Sequence, residues 1–139
     1  MKITLDEGAL MPTYAHEYDA GLDLYMKKGG EAVVIPPFGG FRVFDTGVHL
    51  AIPQHFCGLM KSRSSLLMKG IQTDGLVDAD YTGSVRVILF NHGEFSYIVN
   101  PGDKIAQIVI SPCLRPLLEL AEKLEQTERG DRGFGSSGR

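Results

Sequence analysis

Three short stretches of this chain carry side chains suited to gripping phosphate or moving a proton. The first is the run Arg129–Arg139, whose four glycines let a backbone curl around a ligand at φ values other residues avoid. Within it, Arg129 and Arg132 offer forked donors that match phosphate oxygens, and Ser136 and Ser137 add hydroxyls. Phe134, next to Gly135, supplies a flat face for a base or ring. Ordering such a run costs roughly 1–2 kcal/mol per residue. It reads either as a solubilising tail or as a lid that orders on its ligand. The aromatic and the arginines favour the lid, since solubilising tails rarely include an aromatic.

The second stretch is Ser62, Arg63, Ser64 and Ser65 ahead of Leu66 and Leu67, with Gly70 as a stop. That pattern reads as a serine-started helix of one or two turns over Ser62–Lys69. Open N–H groups at a helix start attract anions, and Arg63 with the Ser64 hydroxyl would complete such a site. From these residues alone, a plain serine cap beside a surface arginine is the stronger alternative. The third stretch is Gly75–Gly83, in which Val77 precedes Asp78 and Tyr81 follows three residues later. It reads as a hairpin leading into the strand at Val85. A carboxylate at the edge of a β-scaffold is a candidate general base, and a tyrosine ring can pack on a sugar. An acidic turn with a surface tyrosine is the alternative. Asp23, in the apolar run Ala20–Leu24, and Gln107, alone in the apolar run Ile105–Ile110, are polar groups needing partners. Each is either a structural hydrogen-bonder or support for a site.

The elements that must hold these residues are mostly short strands. Ala32–Ile35 is apolar and stops at Pro36 and Pro37. Phe44, Val48, Leu50 and Ile52 alternate with Asp45 and His49, the mark of a half-buried strand. Val85–Phe90 is apolar except for Arg86 and predicts a strand buried on both faces. Asn100–Asp103 has Pro then Gly at its centre, a type II turn. Strands punctuated by Gly and Pro predict an all-β barrel or sandwich. Leu117–Gln126 alone has helical spacing of its leucines.

The chain has 139 residues, enough for one domain with its own core, and a net charge of −3. The mild acidity disfavours a broad nucleic-acid surface, so phosphate binding must come from a few placed cations, as for a nucleotide. Cys57 and Cys113 have no metal spacing and read as reduced core residues; the four histidines show no ligand spacing either. Neither a leader at Met1–Leu10 nor a long apolar run is visible, so the expectation is a cytoplasmic protein with no membrane role.

Taken in order, Ala20–Leu24, Ser62–Leu66, Gly75–Asn91, Gly102–Gln107 and Arg129–Gly138 resemble the five motifs of the trimeric deoxyuridine triphosphate nucleotidohydrolases, the dUTPases. The resemblance implies a single-domain, distorted, jelly-roll-like β-barrel over 1–126, with one short helix and a flexible glycine-rich arm over 127–139. It implies a homotrimer that splits dUTP into dUMP and pyrophosphate with Mg²⁺. Asp78 would orient and deprotonate the attacking water. Arg63, Ser64, Ser65 and Gln107 would hold the phosphates and the water, and Asp23 would support the metal indirectly through water. Gln72, Gly75 and Val77 would read uracil with backbone groups, while Tyr81 would exclude a 2′-hydroxyl. From the arm, Phe134 would cover the base, and Arg129, Gly135, Ser136 and Ser137 would close on the rest of the ligand. The same resemblance makes Leu117–Gln126 extended, against its local helical spacing. Ser62 and Ser65 stand where the family's second motif usually has Pro and Gly. Arg63–Leu66 also resembles the dCTP deaminases of the same fold, but those carry a catalytic glutamate where this chain has Ile88. A non-catalytic dUTP-binding regulator is the remaining alternative.

Overall fold

The computed structural model describes residues 1–132. The expectations for Phe134, Gly135, Ser136 and Ser137 lie outside the described residues. The elements in chain order are β1 (Lys2–Leu5), β2 (Leu22–Tyr25), β3 (Val33–Ile35), β4 (Gly40–Ala51), β5 (Phe56–Lys61), α1 (Ser64–Leu67), β6 (Ile71–Gln72), β7 (Asp74–Val77), β8 (Ser84–Asn91), β9 (Tyr97–Val99) and β10 (Lys104–Pro112).

Alternation decides which faces go inward. In β4, Phe44, Thr46, Val48 and Leu50 are buried while Asp45 is exposed, as period-two patterning requires. The strands form one sheet in the order β1-β4-β8-β6, a second in the order β2-β10-β5-β7, and a ribbon of β3 with β9. Neither larger sheet closes on itself. Both send side chains into one core: Phe44, Val48, Val85 and Val87 from the first, Leu24, Met60, Ala106 and Ile108 from the second. Ile35 and Val99 join from the ribbon. Among the described residues the fold is therefore all-β and jelly-roll-like with a single short helix, distorted rather than a closed barrel.

Two local details hold the turns. Gly102 has φ +88° and the Asp103 N–H bonds the Asn100 carbonyl at 3.0 Å, so the Pro-Gly turn is type II as expected. Asn91 is 1 % exposed, and its amide donates to the carbonyls of Ile35 and Phe95 while its oxygen accepts the Gly93 N–H.

Several expectations need correction. The strand at Val85–Phe90 is buried on one face only: Ile88 and Phe90 are 40 % and 39 % exposed, and Arg86 is exposed too. Their cross-strand neighbours Val43 and Phe41 are likewise exposed. The stretch before it is no hairpin. β7 pairs with β5 in the second sheet, whereas β8 pairs with β4 and β6 in the first, so Asp78–Gly83 crosses between sheets. Helix α1 is one turn, its start is Arg63 in extended conformation, and no side chain caps it. Ser62 lies outside it because its hydroxyl has other partners. Leu117–Gln126 forms no helix: its leucines find no surface of this chain to cover, with Leu117, Leu118 and Leu120 at 97–101 % exposure. Short helices need such packing. Cys57 and Cys113 are both free, but only Cys57 is buried in the core sense. Among the described residues no helix is long and apolar enough to cross a membrane.

Candidate active site

The second sheet builds the cationic half of the site. Antiparallel pairing sets Gln107 on β10 opposite both Asp23 on β2 and Lys61 at the end of β5. Arg63 follows Lys61 by two residues. Its Nε reaches Asp23 Oδ1 at 2.9 Å, and Lys104 Nζ reaches Asp23 Oδ2 at 2.6 Å. Asp23 is 6 % exposed, so one buried carboxylate aligns two cations at the mouth of the strands. Both of its oxygens take a charged donor, which removes the cost of burying it alone. Asp23 in turn holds the Lys104 ammonium above the ordinary lysine range. Gln107 donates from Nε2 to the Ser62 carbonyl at 3.1 Å. Its amide lies against Gly21, where a Cβ would stand 2.5 Å from Gln107 Oε1. Glycine at 21 is thus the space that Gln107 occupies. Arg63, Ser65, Lys69, Asn100, Asp103 and Lys104 line a cavity of about 620 Å³.

The carboxylate half lies on the crossing between sheets. Asp78 follows β7 directly and is exposed, and among the described residues its carboxylate takes part in no hydrogen bond or ion pair. The Tyr81 N–H bonds the Asp78 carbonyl at 3.2 Å, closing a turn. Tyr81 folds over Gly83, where a Cβ would meet its hydroxyl at 2.6 Å, and the hydroxyl donates to the Ser84 carbonyl at 2.9 Å. The ring is locked at both ends while the residue stays 45 % exposed. A second anchor comes from His49, whose ring bonds the Thr82 carbonyl at 2.8 Å and Asp6 at 3.1 Å. With an oxygen acceptor at each nitrogen, the doubly protonated ring is favoured, and Thr82 above all, then Asp6, raises its pKa. Asp78 and Asp80 line a cavity of about 640 Å³ with His55, Cys57, Cys113 and Arg115. Burial, and next the nearby Cys113, pushes the Cys57 thiol up.

No residue lines both cavities. Within one chain, the expected base and the expected phosphate grip belong to separate depressions. Gln72 and Gly75 are exposed and Val77 half-buried on the segment between them, with Gly75 opposite Met60 on β5. Arg129 and Arg132 are exposed beyond the last strand, each donating from Nε to the other's carbonyl, at 3.0 and 3.2 Å.

A chain with this sequence and topology has known relatives. The dUTPase family model matches residues 7–138 of the chain. The chain belongs to the dUTPase family. It is 41 % identical over 138 residues to the deoxyuridine 5′-triphosphate nucleotidohydrolase of Syntrophotalea carbinolica, covering 96 % of this chain and 92 % of that one. To the enzyme of the same name from Maricaulis maris it is 42 % identical, over 95 % of this chain and 90 % of that one. The solved dUTPase of Staphylococcus bacteriophage 80alpha, with dUPNHPP, superposes with a TM-score of 0.88 at 31 % identity, over 99 % and 98 % of the two chains.

Two residues have partners that their local sequence does not announce. Lys104 is the second cation on Asp23, and only the β2–β10 pairing brings them together. Ser62, expected as a helix start, instead bonds the chain at Thr73. A lysine directly after a Gly-Asp turn was the available signal for the first; nothing local signals the second.

Proposed function

We propose that the protein is a dUTP diphosphatase, hydrolysing dUTP to dUMP and pyrophosphate. Family membership across nearly the whole chain carries this reading. In the reaction, water oxygen attacks the α-phosphorus, the bond from that phosphorus to the α,β-bridging oxygen breaks, and pyrophosphate leaves. Asp78 takes the water's proton; its open carboxylate suits a base that must meet a water molecule. Arg63, Ser64 and Ser65 hold phosphate oxygens, with Arg63 aimed by Asp23. Gln107 helps hold the water and phosphate, with one of its two amide N–H groups bonded to the Ser62 carbonyl. Gln72, Gly75 and Val77 read uracil through the main chain. The locked ring of Tyr81 packs on the deoxyribose, and Arg129, Phe134, Gly135, Ser136 and Ser137 close over the ligand.

Among the described residues no group of three or more His, Cys, Asp or Glu is arranged to enclose a metal ion. Mg²⁺ would be held mainly by the triphosphate and by waters, with Asp23 supporting it only through water. A magnesium ion so bound neutralises charge on the phosphates. A structural Mg(II) ion is described for a phage phi11 dUTPase mutant of the same family.

The enzyme works as a homotrimer whose sites combine chains. Three observations support this: the base and the phosphate grip lie in separate cavities, β4 and β8 leave Phe41, Val43, Ile88 and Phe90 exposed together, and the leucines after Cys113 are nearly bare. A monomer rarely leaves such surfaces to water. The leucines between Leu114 and Leu124 then rest on a neighbouring copy. Ile88 in place of a glutamate leaves no group for deamination at that position.

Pyrophosphate release measured side by side on dUTP, dCTP, dTTP and UTP tests the activity; dUTP alone should turn over well. Binding of dUTP without turnover would establish a regulator instead. Light scattering of the active protein tests the assembly, and a fully active monomer would overturn it.

A further inference from the structure

We infer that Ser62 is a positioning residue that locks the base-reading segment Gln72–Val77 to the strand carrying the phosphate grip. This rests on the dUTP reading above. The β5–β7 ladder ends at the pair Lys61 and Asp74, and one further step sets Ser62 opposite Thr73. Thr73 is where the chain leaves the first sheet, after β6, and enters the second, at β7. At that crossover the Ser62 hydroxyl accepts the Thr73 N–H at 2.8 Å and donates to the Thr73 carbonyl at 2.8 Å. One side chain thus takes both main-chain groups of the crossover residue.

Nothing nearby can substitute for it. Thr73 is 3 % exposed, and its own hydroxyl has no partner among the described residues. Losing the serine oxygen would leave a buried N–H and carbonyl unpaired, a costly change that the chain relieves by shifting. Ser62 also accepts the Gln107 amide on its carbonyl and precedes Arg63, which Asp23 aligns. A proline at 62, usual in the family's motif, has no hydroxyl and could make neither bond to Thr73. This chain therefore couples base reading to phosphate holding through a contact of its own.

The test is steady-state kinetics on dUTP and dCTP for the full-length wild type, Ser62→Ala and Ser62→Thr, with amide hydrogen exchange at Thr73. Loss of this pair of bonds should raise KM for dUTP about tenfold with kcat changed by only about twofold. The dUTP/dCTP ratio of kcat/KM should fall about tenfold, because slack in the segment loosens main-chain reading. Ser62→Thr, which keeps the hydroxyl, should restore both. The Thr73 amide should be protected in wild type and exchange faster in Ser62→Ala. An unchanged ratio, a loss confined to kcat, or a fast-exchanging Thr73 amide in wild type would overturn the inference. If Ser62→Ala does not fold, the wild-type exchange and the Ser62→Thr ratio still decide it. A wild type that leaves dUTP intact would overturn the proposed function instead, a separate outcome.

Discussion

The two halves of the proposed site are built in opposite ways. Around Asp23, Arg63 and Lys104, every charged group has a partner within 2.6–2.9 Å, and the carboxylate at the centre is buried. Around Asp78 the main chain is tied down by His49 at the Thr82 carbonyl and Tyr81 by its bond to the Ser84 carbonyl, yet the carboxylate itself is exposed. Phosphate oxygens bring their own charge, so cations meant for them must be aligned beforehand, and a buried acid does that. A general base must stay available to water, and a saturated carboxylate would be useless. The first half therefore links function to stability, while the second can be damaged without harming the fold.

Asp78→Asn should give the largest effect and the cleanest split. Turnover of dUTP should fall about 10²–10⁴-fold, with dUTP affinity and the thermal midpoint nearly unchanged. Asp80→Asn, in the adjoining turn, should be mild; equal losses from both would mean the two acids act as a pair. Tyr81→Ala should come next. It removes the locked ring, so the dUTP/UTP ratio of kcat/KM should narrow about tenfold or more. An unchanged ratio would hand sugar selection to the main chain.

Asp23→Asn should behave differently from either. Arg63 and Lys104 would lose their common anion, raising KM several-fold while also lowering stability by about 1–3 kcal/mol. Calorimetry and kinetics on the same preparation check this, and an effect on kcat alone would erase the contrast between the halves. The smallest effect concerns pH. The folded-state pKa of His49 is raised by Thr82 and Asp6. Its contribution is therefore fully present below the ordinary histidine value and lost as pH rises through the raised one. The thermal midpoint should decline slightly over that window in wild type and stay flatter in His49→Gln, with Asp6, Lys27 and Asp45 as the charges nearby. The reverse sign holds for Asp45, lowered to about 2 chiefly by the Ser84 hydroxyl: its support is present above the ordinary carboxylate range and lost as pH falls toward that value.

Much of this was legible in the residues. Alternation in Phe44–Ile52 predicted β4 with its buried face, and the Pro-Gly pair predicted the type II turn before β10, because both depend on local geometry alone. The order of five short motifs identified the family. Two of the failures share one cause. Helical spacing at Leu117–Gln126 and the largely apolar run at Val85–Phe90 tell that these side chains seek a partner, but hydrophobic burial has no direction in sequence. Only the fold shows that the leucines and one face of the strand, Ile88 and Phe90, point away from this chain's own core.

By itself, then, the sequence determined the strands, the turns, the family and the chemistry available: one carboxylate near a tyrosine, serines beside an arginine, a glycine-rich end. Tertiary structure alone decided which of these meet. Asp23 and Lys104 are far apart in sequence and touch because β2 and β10 pair, with an irregularity in the ladder between Lys104 and Ala106. Ser62 and Thr73 touch because a crossover between sheets falls where a ladder ends. Pairing register is set by which faces the whole core can bury, a global property, and a shift of one residue would turn every such contact away.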